Sequence, residues 1–71
     1  MKFTKEDIEG INRCYDLINA ARFPQHSLPF EIWNRVYADE IEQGKKPHKN
    51  PTNCGACIRN AVLELKRDLK K

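Results

Sequence analysis

Apolar residues recur at Ile8, Ile11, Tyr15 and Ile18. Their spacings of three, four and three place them on one face of a helix. Cys14, Leu17 and Ala21 run along the flank of that stripe. Thr4 is a natural N-cap, and Glu6 and Asp7 sit in the first turn, where acids are favoured. Gly10 weakens this helix without erasing its pattern. Pro24 ends it, because the ring biases Phe23 out of the helical region. The first predicted helix therefore covers about residues 5–22. A second starts at Pro29, whose missing N–H costs nothing in a first turn. Its stripe is Phe30, Trp33, Tyr37 and Ile41, widened by Ile32 and Val36, and Gly44 supplies the stop, giving residues 29–43. After the polar, proline-punctuated KKPHKNPTN, a third helix over 53–70 is capped by Thr52 or Asn53. Cys54, Ile58, Ala61/Val62, Leu65 and Leu69 share its face.

No alternation of period two, no Asn-Gly turn and no internal repeat competes with these helices. Three one-faced helices in a chain this short predict an all-α, three-helix bundle forming a single domain over residues 1–71. Tyr15, Phe30, Trp33 and Tyr37 supply much of the core's area. Part of the aromatic stripe, Phe30 or Tyr37 with Phe23, is expected to stay exposed as a contact for a protein partner.

Composition narrows the setting. With 71 residues, the chain is near the lower limit for an unaided hydrophobic core. A hydrophobic fraction of 39% and a charged fraction of 32% describe a soluble folded chain. No apolar run approaches the roughly 18 residues needed to cross a bilayer, so no membrane partner is expected. MKFTKEDIEG lacks the apolar core of a secretion signal. Three cysteines make no disulfide framework, which fits a reducing cytoplasm. The net charge of +3 is unevenly spread: residues 1–43 carry −3 and residues 44–71 carry +6. Lys45, Lys46, Lys49, Arg59 and Lys66 form the candidate anion- or phosphate-binding set. Lys66, Arg67, Lys70 and Lys71 also suit the negative end of a helix.

NCGAC, residues 53–57, is the one chemically pointed stretch. Two thiols three residues apart at a helix start can grip one side of a zinc ion, and a helix N-terminus favours the thiolate. Cys14, His48, Cys54 and Cys57 complete a Cys₃His set, with His26 as a substitute ligand. A site shared by two chains is a variant. The same pair resembles the Cys-Gly-Pro-Cys of thioredoxins, with Ala56 in place of proline, which implies thiol-redox chemistry; the strand–helix–strand setting of that motif is missing from the pattern. The plainest reading has the cysteines packing as small hydrophobes, Cys54 extending the Ile58–Leu69 face by a turn, with no cofactor at all.

Elsewhere the chemistry is sparse. Neither histidine has a nucleophile beside it, and Glu6/Asp7 and Asp39/Glu40/Glu42 read as solvated faces, so an enzyme is not expected. The basic loop 45–49 and helix 3 suggest nucleic-acid binding as an alternative. The connection before helix 3 is, however, too long for a helix-turn-helix, and its outer face offers only Arg59, Asn60 and Arg67 as base-reading side chains.

Trp33 and Tyr37, then Gly44 and Lys45, then Asn50 or Asn53 with Cys54, Cys57, Ile58 and Arg59 resemble small uncharacterised proteins of bacteriophages and prophages in which a lone Cys-x-x-Cys opens a C-terminal helix. That resemblance spans the second half of the chain. It implies a compact protein of the bacterial host cytoplasm or the virion that binds a host or virion protein, or further copies of itself. The expectation from sequence is thus a non-catalytic interaction module, with nucleic-acid binding and thiol redox as alternatives.

Overall fold

A computed structural model describes residues 3–22, 27–52 and 54–70. They form a small all-α bundle of four helices: α1 (Lys5–Asn19), α2 (Ser27–Val36), α3 (Ala38–Glu42) and α4 (Gly55–Leu69). Among the described residues, no helix is long and apolar enough to cross a membrane.

The first helix starts as its sequence predicts. Thr4 and Asp7 form a reciprocal capping box, each side chain accepting the other's backbone N–H at 3.1 Å. Asp7 is fully buried and also takes a guanidinium contact from Arg35 of α2. The inward face of α1 lies a fraction of a turn from the expected stripe. Asp7, Ile11 and Cys14 face the core, whereas Ile8 is 37% exposed. Gly10 shares the inward side: a Cβ there would lie 3.1 Å from Ile32 Cδ1, so its small size lets α2 approach. The helix ends at Asn19, three residues before the predicted boundary. Ala21 adopts φ +59°, Arg22 N–H donates to Leu17 O at 2.8 Å, and Ala21 N–H donates to Ile18 O at 3.0 Å. That is a Schellman stop built on alanine rather than glycine.

The predicted 29–43 helix begins earlier, at Ser27, and bends at Tyr37. Pro29 occupies the third helical position, where an N–H still has no intrahelical acceptor. At Tyr37 the backbone opens to φ −100° and ψ 22°. The bonds from Tyr37 N–H to Trp33 O (2.9 Å) and from Ile41 N–H to Tyr37 O (2.8 Å) carry the chain through the bend. Gly44, at φ +75°, then closes α3 with the same Schellman pattern, Lys45 N–H reaching Glu40 O at 2.8 Å.

Pairings along the helices fix their directions. Asp7 meets Arg35 and Gly10 meets Ile32, so α1 and α2 are antiparallel. Lys66 meets Asn12, and Arg59 shares a depression with Ile18 and Asn19, so α1 and α4 are antiparallel as well. It follows that α2 and α4 run parallel, and the loop 43–54 must carry the chain back along α2. It does so in contact. Trp33 Nε1–H donates to Pro47 O (3.0 Å), and the Asn34 side chain grips the Lys49 backbone at both its N–H (2.9 Å) and its carbonyl (2.7 Å). Ile11, Phe30, Ile32, Trp33, Val36, Tyr37, Ile58, Ala61 and Leu65 make the core, with Phe3, Leu28, Ile41 and Leu69 packed at its margins.

Candidate functional site

The proposed protein-contact aromatics are corrected by this core. Phe30 and Tyr37 are 2% and 1% exposed, so neither offers a contact surface. Both lie on the inward side of α2 and its bend, and the Tyr37 hydroxyl ends on the buried Asp68 carboxylate. Phe23 lies outside the described residues, as does the substitute ligand His26.

The basic set is divided between inside and outside. Lys46 bonds Glu64 at 2.9 Å, with its ammonium 4.3 Å from the Tyr37 ring centre and 5.2 Å from that of Trp33. Lys49 lies 4.7 Å from the Trp33 ring centre, and Lys66 contacts Asn12 and the Tyr15 ring. These lysines close the edges of the core by cation–π contact. Lys45, His48 and Arg59 are exposed. The basic loop is thus a strap over Trp33 whose charges are partly spent on the protein itself.

The cysteines do not gather as a four-ligand set. Cys14 is buried in α1, while Cys54 and Cys57 are exposed at the start of α4. Among the described residues, no group of three or more His, Cys, Asp or Glu side chains converges as a metal site. Nor do Cys54 and Cys57 pack into the core. Thr52 does not take the predicted capping role, and Asn53 lies outside the described residues. Cys54 is itself the N-cap, in extended geometry (φ −68°, ψ 107°), with Sγ accepting the Cys57 N–H at 3.2 Å. Thr52 Oγ1 instead accepts the Cys54 N–H at 3.2 Å. The helical spacing that aligned Cys54 with Ile58 holds only inside the helix, and a cap residue falls off that face.

This geometry makes the two thiols unequal. A hydrogen bond from the Cys57 side chain, reinforced by the Cys57 and Ala56 backbone, holds the Cys54 thiol below its ordinary range. Donating that bond, with burial and the Cys54 charge adding to it, pushes Cys57 up, while Lys49 opposes the rise. Burial also raises Cys14, in keeping with an inert core thiol. Of the two thiols, Cys54 is thus the more readily ionised and Cys57 the less.

Beside it, Gly55, Ala56, Arg59, Asn60 and Leu63 line an open depression on the outward face of α4. Leu63 is 37% exposed, which makes it, with Ile8, one of two large hydrophobics displayed to solvent among the described residues. Arg59 also borders a neighbouring depression with Ile18, Asn19, Ala21 and Arg22, where α1 ends. Two guanidinium groups therefore stand at the pole that carries the cysteines. Leu63 falls off the buried stripe, so the helical period does not single it out. Its signal was there: a leucine four residues after Arg59 and seven after Ala56, opposite the Ile58–Leu65 face.

Comparison with known proteins found no matching family model, no matching curated protein and no matching solved structure.

Proposed function

We propose that this chain is a small, non-catalytic interaction module whose docking surface is the outward face at the start of α4. The observation that carries the reading is the depression of Gly55, Ala56, Arg59, Asn60 and Leu63, where an exposed leucine lies beside two residues with little or no side chain. A partner's apolar side chain can reach the helix backbone over Gly55 and Ala56, bury Leu63, and place a carboxylate against Arg59. An acidic protein surface with an apolar centre fits this combination. The setting implied by the sequence resemblance, a phage protein acting on a host or virion component in the bacterial cytoplasm, belongs to the same proposal.

The test compares wild type with Leu63→Asp, Arg59→Glu and, as a distant surface control, Arg13→Glu, each immobilised in host extract. The expected result is a protein retained by wild type and Arg13→Glu and lost from the other two. Equal recovery by all four overturns the assignment of this face. Recovery of nucleic acid instead, released by moderate salt, replaces it with the phosphate-binding alternative.

A further inference from the structure

We propose that Cys54 and Cys57 are a thiol–disulfide exchange pair, Cys54 attacking an accessible disulfide and Cys57 resolving the product as an intrachain disulfide across the first turn of α4. This goes beyond the docking reading and does not depend on it.

The argument rests on placement. Both sulfurs are exposed, in a fold whose third thiol is buried in α1. Cys54 is the N-cap and Cys57 the third helical residue, and the Cys57 N–H already points at Cys54 Sγ from 3.2 Å. A nucleophile held there has its negative charge met by that N–H and by the positive end of α4. The second sulfur is tethered one turn away, within reach of the first. Lys49 is fixed to α2 through its backbone and acts electrostatically on Cys57, the thiol that must ionise second. Gly55 and Ala56 leave the approach to the sulfurs free of bulk.

The exchange balances as follows. The Cys54 thiolate attacks one sulfur of R–S–S–R′, a Cys54–S bond forms, and R′S⁻ leaves to take a proton from water. Cys57 gives its proton to solvent, its Sγ attacks Cys54 Sγ, and RS⁻ departs and is protonated in turn. Two electrons pass from the thiol pair to the substrate disulfide, which becomes two thiols, and the chain retains one new S–S bond. The oxidant is the substrate disulfide itself.

The test uses the full chain, reduced and freed of reductant, with oxidised glutathione in one arm and insulin, a protein disulfide, in the other. Samples are quenched with acid and read by intact and peptide mass. In the glutathione arm, wild type is expected to lose two hydrogens as a Cys54–Cys57 disulfide. Cys57→Ser should instead accumulate a mixed disulfide on Cys54, about tenfold faster than Cys54→Ser accumulates one on Cys57. Cys14 should stay free in every case. Reduction of insulin as well extends the substrate to protein disulfides, and failure there confines it to small ones. Equal rates in the two single variants, no intrachain disulfide in either arm, or thiols that react only after a chelator strips a bound metal would each overturn the proposal.

Discussion

Ala21 and Tyr37 show what single residues contribute. Ala21 holds φ +59°, a left-handed conformation that costs an L-residue roughly 1–2 kcal/mol, and its Schellman bonds are those that Gly44 completes at the end of α3. Ala21→Gly removes that steric cost but enlarges the freedom of the unfolded chain, so the expected net gain is about 0.5–1 kcal/mol by urea unfolding. Tyr37 makes the opposite case, a side chain on which its surroundings depend. Burial first, and the Asp68 carboxylate second, raise its hydroxyl far above the ordinary phenol range. The folded state keeps this proton at pH values where the unfolded phenol, with a pKa near 10, releases it. Stability from Tyr37 is therefore complete below about pH 10 and is lost as pH rises further. Tyr37→Phe should cost about 1–3 kcal/mol near neutrality by leaving Asp68 one donor short. The gap between wild type and variant should narrow toward about pH 11, as read by urea unfolding across that range.

At the scale of elements, the sequence showed where helices exist more clearly than where they stop or bend. The 3.6-residue period located all the helical material except Ser27 and Leu28, and Thr4 and Gly44 marked boundaries correctly because a hydroxyl acceptor and a missing Cβ suit the caps they form. The end at Asn19 was hidden because the left-handed residue is alanine, which carries no such signal, and Pro24 offered a louder stop. The bend at Tyr37 carries no local signal either: no glycine or proline marks it, and the side-chain partner of Tyr37, Asp68, is 31 residues away. Cys54 was misplaced because a cap residue obeys loop geometry while its sequence spacing still matches the helix. The strap 43–54 is the element with the most to lose from one substitution. Asn34→Ala deletes both side-chain bonds to Lys49. The expected cost is about 1–2 kcal/mol, together with faster tryptic cleavage after Lys45 and Lys49, measured by limited proteolysis.

For the molecule as a whole, the all-α bundle was legible and its chain path was not. Three amphipathic stripes require a shared core, yet nothing in their periodicity says that α2 and α4 are parallel. That follows from the strap, which is long enough to return along α2 and is held there by Trp33 and Asn34. The candidate site divided the same way. Cys54 and Cys57 were singled out from their spacing, but their exposure was decided by the cap geometry, and the exposed face of α4 by which residues the core took first. Phe30 and Tyr37 went inward because a chain of this size has few large side chains with which to fill a core.

The helix directions also sort the surface into two ends. Thr4 and Asp7 lie beside Arg35, and Asp68 lies beside Tyr37, so both the first turn of α1 and the last turn of α4 sit where α2 finishes. Cys54 and Cys57 begin α4 at the other end, about 20 Å away by the rise of a helix, in a body whose longest dimension is 34 Å. A bead, a fluorophore or a fused domain attached before residue 4 or after residue 70 would hold the molecule by the same pole and leave the thiols facing outward.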